Sequence, residues 1–116
     1  MKTWDDWSDG DINLSICERL NLSPFARVKD TCEVVCGIDG ESVYKDYCNN
    51  PADMWPIIVE NGICLTSPTT GRNRAVWSAS WNEYGGRWSS GDIVFGDKNP
   101  LRAAAIVFLE MNGVSP

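Results

Sequence analysis

The sequence predicts an α+β domain in which three helices pack an antiparallel sheet of four or five strands, in the order α-β-β-α-β-β-(β)-α. Two asparagine-proline pairs mark helix starts, and runs of β-branched and aromatic residues between glycine-rich turns mark strands. The 116 residues, 43% of them hydrophobic and six of them Trp, suit one domain with its own core. We expect a single domain over residues 1–116, with an N-terminal arm at residues 1–8.

The first helix is predicted over residues 9–21. Ser8 and Asp11 resemble a capping box, with Asp in the place that Glu usually takes. Apolar residues recur on one stripe at helical spacing: Ile12, Ile16 and Leu20. Pro24 ends this helix, because the residue before a proline avoids the helical region.

A β-hairpin is predicted next. Residues 27–36 ("RVKDTCEVVC") form its first strand, "GIDGE" its turn and residues 42–47 ("SVYKDY") its second strand. Three more strand signals follow the second helix, at residues 61–67 ("NGICLTS"), 74–84 ("RAVWSASWNEY") and 85–97 ("GGRWSSGDIVFGD").

The second helix begins with Asn50 as its cap and Pro51 at its first position. Pro56 then lacks the N–H that a regular helix needs, at a cost of about 3 kcal/mol. We expect the helix to kink or restart there, and to turn Trp55 and the aliphatic residues 57–59 onto the core.

The third helix has a start at Asn99 and Pro100 and a stop at Gly113. Between them only Arg102 and Glu110 are charged, so the helix is apolar on nearly every side. Such a helix needs cover on more than one side. It is either the core helix of one chain or shared across a twofold axis, and self-association therefore stays open.

Three segments resemble one known family. Residues 46–58 ("DYCNNPADMWPII"), 97–111 ("DKNPLRAAAIVFLEM") and, more loosely, 8–20 ("SDGDINLSICERL") are similar to stretches of the NinX-like proteins of tailed bacteriophages and prophages. The resemblance implies a phage origin and a location in the host bacterial cytoplasm. It transfers no activity, cofactor or catalytic residue to individual positions.

The charge and the cysteine content indicate which kind of partner and which redox environment to expect. A formal net charge of −6 disfavours a nucleic-acid surface and suits a protein partner with a basic face. The N-terminus has no apolar signal region, and no stretch is long and apolar enough for a membrane span. In a reducing cytosol the odd number of cysteines is expected to be five free thiols, Cys17, Cys32, Cys36, Cys48 and Cys64.

The residues for ordinary catalysis are sparse. The chain has no His, which removes the commonest general base and metal ligand. Four carboxylates could serve acid/base chemistry, but caps and helix starts already account for them: Asp9, Asp11, Asp46 and Asp53. The spacing of Cys32, Cys36, Cys48 and Cys64 is poor for zinc. We therefore expect no enzyme, catalytic residue, cofactor or metal site.

The N-terminal segment "WDDWSDGD" is a candidate partner-binding surface, because aromatic anchors are common interface hot spots. Its candidate residues are Trp4, Asp5, Asp6 and Trp7. The favoured interpretation is nevertheless an arm that folds its tryptophans over the core and directs its carboxylates to the helix start.

A second candidate surface combines Arg72 and Arg74 with Trp88, where basic and aromatic residues interleave. Such a patch could stack single-stranded bases, although two arginines are few against the net charge. The leading hypothesis is a non-enzymatic phage accessory protein that binds a host or phage protein. The alternatives are a nucleic-acid-associated protein and a small nucleotide-binding protein or enzyme.

Overall fold

The computed structural model describes residues 3–20, 22–27, 34–38, 41–67, 76–81 and 93–116. A short 3-10 turn, Trp4–Asp6, precedes three α-helices: α1 (Asp9–Arg19), α2 (Pro51–Asn61) and α3 (Pro100–Met111). The strands within these ranges are β1 (Ser23–Arg27), β2 (Val34–Ile38), β3 (Glu41–Lys45), β4 (Cys64–Thr66), β5 (Trp77–Trp81) and β6 (Ile93–Asp97).

The strands form two antiparallel sheets rather than one. The order is β1-β2-β3 in the first sheet and β4-β5-β6 in the second. The α+β class and the three helices are confirmed, whereas the predicted single sheet of four or five strands is replaced by six described strands in two sheets. The first sheet contacts α1 and the second contacts α3, so each sheet has its own helical cover.

The sequence prediction missed β1. Pro24 was interpreted only as the end of the first helix, yet it lies inside a strand. The strand is at the edge of its sheet, where a residue without an N–H is tolerated, and its register shifts between Pro24 and Ala26. The predicted hairpin is therefore β2 and β3, and its first strand begins at Val34 instead of residue 27.

The predicted helix starts are confirmed in their hydrogen bonds. Ser8 Oγ accepts from the Asp11 amide at 3.1 Å, and Asp11 Oδ2 accepts from the Ser8 amide at 3.1 Å. Asn50 Oδ1 accepts from the Ala52 amide at 3.0 Å. At the other end of α2, Gly62 has the left-handed conformation with φ of 66° that glycine adopts without strain.

Helix α3 is the centre of the core. Residues 103–109 are all buried, and the helix contacts α1, α2 and the three strands β4, β5 and β6. Of the two alternatives for the third helix, the structure therefore shows the core helix of one chain, because the apolar surface of α3 is covered within that chain.

The expected place of Trp55 in the core is wrong. Helix α2 continues through Pro56 without a restart, so helical spacing decides which side chains face inward. Met54, Ile57 and Ile58 are buried against the rest of the protein. Trp55 is 56% exposed and Val59 is 62% exposed, because they lie on the opposite side.

Replacement of Trp55 by alanine is accordingly expected to change the free energy of unfolding by less than about 0.5 kcal/mol, since a surface side chain is removed. Urea denaturation at low micromolar protein concentration measures it. The conservative change Ile57→Val, on the buried side of the same helix, should cost about 1 kcal/mol. A loss of about 3 kcal/mol for Trp55→Ala would show that this residue belongs to the core after all.

Candidate functional site: an acidic groove beside the N-terminal turn

The N-terminal turn packs onto the end of α3 through its first tryptophan. Trp4 is 5% exposed, and its indole N–H donates a 2.8 Å hydrogen bond to Glu110 Oε1. The ring of Trp7 lies against Trp4, with ring centroids 4.9 Å apart and planes inclined by 57°. Trp4 is thus part of the core, and Trp7 is a half-buried aromatic supported by it.

Arg102, near the start of α3, holds the backbone of the same turn. Its Nη2 donates to the carbonyl oxygens of Trp4 at 2.9 Å and Trp7 at 2.8 Å. The guanidinium also pairs with two carboxylates, Asp9 at 2.5 Å and Asp97 at 3.4 Å. A planar fork of donors suits several acceptors at once, so one side chain orients the turn, the start of α1 and the end of β6.

Two asparagines extend this network to the start of α2. The Asn49 side chain donates to Asp9 Oδ2 at 3.0 Å. The Asn99 side chain donates to the carbonyl oxygen of Cys48 at 2.6 Å and to Asn49 Oδ1 at 3.1 Å. Asn99 also caps α3, since its Oδ1 accepts from the Leu101 amide at 2.9 Å. The segment just before α2 is therefore hydrogen-bonded to the start of α1 and to the start of α3.

A buried asparagine on α1 completes the polar contacts. Asn13 is fully buried, donates to Asp46 Oδ1 at 2.9 Å and accepts from the Cys48 amide at 3.1 Å. Asp53 accepts from the Asp46 amide at 2.9 Å and pairs with Lys45 at 3.4 Å. The four carboxylates considered for acid/base chemistry, Asp9, Asp11, Asp46 and Asp53, thus all hold parts of the fold together.

The cysteine thiols differ in environment. Burial raises the pKa of the Cys48 thiol far above its ordinary value, and the nearby Asp9 carboxylate raises it further while Arg102 partly opposes this. Cys17 is also buried, with its sulfur 3.8 Å from the Tyr47 hydroxyl oxygen, whereas Cys64 is exposed. Cys32 and the side chain of Cys36 lie outside the described residues. In the described ranges no group of three metal-ligand side chains is close enough to hold an ion.

A groove of about 630 Å³ lies between the N-terminal turn and the solvent-facing side of α1. Its volume is within the range of ordinary ligand pockets. The residues that line it are Asp6, Trp7, Asp11, Leu14, Ser15, Glu18 and Pro116. We call this feature the acidic groove.

The acidic groove combines negatively charged and apolar lining residues. Three of its lining residues, Asp6, Asp11 and Glu18, carry carboxylates, and among the residues that the structure describes no Lys or Arg lines it. Trp7 and Leu14 are half-buried and supply apolar surface to the same lining. The arrangement attracts cationic groups and can bury an adjacent apolar side chain.

The structure separates the predicted partner-binding residues into three groups. Trp4 is buried, as the folded-arm interpretation predicted. Asp6 and Trp7 line the groove, and Asp5 is exposed nearby. Arg72, Arg74 and Trp88, the basis of the nucleic-acid alternative, lie outside the described residues.

Sequence reasoning missed the contribution of α1 to the groove. Asp11, Leu14, Ser15 and Glu18 follow the spacing i, i+3, i+4, i+7, which is a continuous helical stripe. This signal was present in the sequence, on the side opposite to the apolar stripe. It was not recognised because Asp11 was already explained as a helix cap.

These features define a small α+β protein in which an arginine-centred network positions an N-terminal turn beside an acidic groove. The family model described as "Bacteriophage P22, NinX" matches residues 3–112, and the chain belongs to this family of phage proteins. The resemblance of the three sequence segments is therefore confirmed. A comparison with curated proteins found no match. No helix in the described part of the chain is long and apolar enough to cross a membrane.

Proposed function

We propose that the chain is a non-enzymatic phage accessory protein that acts in the host bacterial cytoplasm by binding a host or phage protein. The partner contributes a basic segment with an apolar side chain, which binds in the acidic groove. The observation that carries the proposal is the groove itself, whose described lining combines the carboxylates of Asp6, Asp11 and Glu18 with the apolar side chains of Trp7 and Leu14. Membership in a phage family supports the accessory role and the location.

Charge and apolar contact have different roles in this binding. Exposed ion pairs contribute only about 0.2 to 1 kcal/mol each, so the carboxylates mainly select a basic segment and speed its encounter. A partner side chain packed against Trp7 and Leu14 supplies the burial that holds it. Tryptophan is among the residues most enriched at binding hot spots.

The groove wall is organised before any partner arrives. The carbonyl of Trp7 accepts from Arg102, its amide donates to the Trp4 carbonyl at 3.1 Å, and its ring lies on Trp4. A partner therefore does not have to order this side of the groove. Less entropy is lost on binding, which favours affinity.

Three observations support a role that does not involve catalysis. The sequence contains no His. The thiol of Cys48 stays protonated because its pKa is raised, and a protonated thiol is a poor nucleophile. The inner carboxylates Asp9 and Asp46 are engaged by Arg102 and by asparagine side chains.

The test is a fluorescence-anisotropy titration with a labelled amphipathic peptide of lysine and leucine. The variant Glu18→Lys places a positive charge in the groove, and we expect it to weaken binding about tenfold, or 1.4 kcal/mol. Glu41→Lys is the matched control, because Glu41 is exposed on β3 and does not line the groove. Both variants shift the net charge equally, so Glu41→Lys should stay within about twofold of the native chain.

Two further titrations separate the contributions. Trp7→Ala should weaken the same peptide, and a peptide with glutamine in place of lysine should bind poorly. Equal affinities for Glu18→Lys and Glu41→Lys would contradict the proposal. With these two variants as bait in a lysate of infected cells, a protein lost only with Glu18→Lys is the partner to pursue.

A further inference from the structure

The outward side of α2 is an apolar surface without a partner in the described chain. Ala52, Trp55, Pro56 and Val59 are all exposed, and we call them the outer face of α2. Their spacing places them on one side of the helix, opposite to the buried Met54, Ile57 and Ile58. Trp55 and Val59 are two of the most exposed large apolar side chains in the described chain, and their position on one helical side makes this stripe a candidate contact surface.

Charge distinguishes this surface from the rest of the molecule. The chain has 16 acidic and 10 basic residues, so two copies repel one another over most orientations. Along the exposed positions of α2 only Glu60 is charged. The acidic groove would place carboxylate against carboxylate if two copies met there, whereas the outer face of α2 brings mainly uncharged surface together.

We propose that the outer face of α2 binds the same face of a second copy about a twofold axis. Such a contact uses one patch twice, so the patch must be compatible with itself. An uncharged stripe with a large aromatic near its centre meets this condition, because Trp55 of each copy packs on the small and aliphatic side chains of the other.

The size of the surface sets the strength of the dimer. The four side chains present on the order of 300 to 400 Å² per copy, about half of the ~800 Å² per partner that stable complexes bury. The dimer is therefore weak and depends on protein concentration. At low concentration the chain is a monomer with Trp55 in water.

Sedimentation equilibrium of the full chain tests this proposal from about 5 µM to about 500 µM, a range that brackets weak association. We expect the mass to rise towards that of a dimer, and Trp55→Gln to raise the dissociation constant at least tenfold. The matched control is Tyr44→Ser, because Tyr44 is 58% exposed but lies on β3. Circular dichroism confirms that both variants are folded.

Added salt supplies a second readout. Salt screens the repulsion between the acidic chains, so the apolar dimer is retained or strengthened. A monomeric mass over the whole concentration range would overturn the proposal, because the outer face of α2 would then not bind a second copy. Equal weakening by Tyr44→Ser and Trp55→Gln, or dissociation by salt, would also overturn it. Peptide binding in the acidic groove is unaffected by Trp55→Gln, so the two proposals fail separately.

Discussion

Arg102→Met is expected to lower the free energy of unfolding by about 3 kcal/mol, because it leaves two carboxylates without their cation in a largely buried site. The side chains of Asp9 and Asp97 are only 28% and 20% exposed. The carbonyl oxygens of Trp4 and Trp7 lose their side-chain donor in the same variant. Urea denaturation measures the loss, and hydrogen exchange of the Trp7 amide should become faster as the turn loosens.

Two control variants identify the cause of this loss. Arg19→Met removes an exposed arginine at the end of α1 and should change stability by less than about 1 kcal/mol. Arg102→Lys keeps the charge but loses the planar fork, so it should recover only part of the stability. If Arg102→Met were as stable as Arg19→Met, the contacts of Arg102 would contribute little to the free energy of unfolding.

The two asparagine caps are expected to differ in energy. Asn50→Ala should cost about 1 kcal/mol, the usual value for the loss of a helix cap. Asn99→Ala should cost about 2 to 3 kcal/mol, because the Cys48 carbonyl also loses its side-chain donor. Thermal or urea unfolding of the two variants under identical conditions gives the difference.

Asn50 and Asn99 are a matched pair, since each caps a helix and precedes a proline at the first helical position. The backbone change is therefore the same in both helices, and only the additional contacts differ. Asn99 donates to Cys48 and Asn49, whereas the described contact of the Asn50 side chain is local, to the Ala52 amide. Equal costs would show that the long-range contacts of Asn99 add nothing to stability.

Helix ends were predictable because their signals are local. A cap and its amide are two or three residues apart, as in Ser8 with Asp11 and Asn50 with Ala52. The burial of α3 was also predictable, because a helix that is apolar on all sides is stable only when several sides are covered. Strand pairing was not predictable, since the sequence could not show that the strands before and after α2 form two separate sheets.

The two largest errors have physical reasons. Trp55 was assigned to the core because Pro56 was expected to interrupt the helix, but the helix tolerates the missing hydrogen bond and keeps its spacing. Strand β1 was missed because Pro24 is a strong stop signal, and only its edge position makes it compatible with a strand. In both cases the tertiary structure overrides a local rule for proline.

The candidate site was predictable in part. The aromatic and acidic residues of the N-terminal segment were identified, but not which tryptophan is buried and which lines the groove. A further signal was present in α3, whose only two charged residues are Arg102 and Glu110. A charge on a buried helix needs a partner, and these two residues bind the segment that contains Trp4.

The contact between Arg102 and Asp9 also has a consequence for synthesis on the ribosome. The two residues are 93 positions apart, so at roughly 5 to 20 residues per second the nascent N-terminal segment waits about 5 to 20 s for its anchor. Until α3 has emerged, the wall formed by Trp7 has no fixed position. A translation product that stops before Arg102 thus lacks the hydrogen bonds that hold the backbone of Trp4 and Trp7.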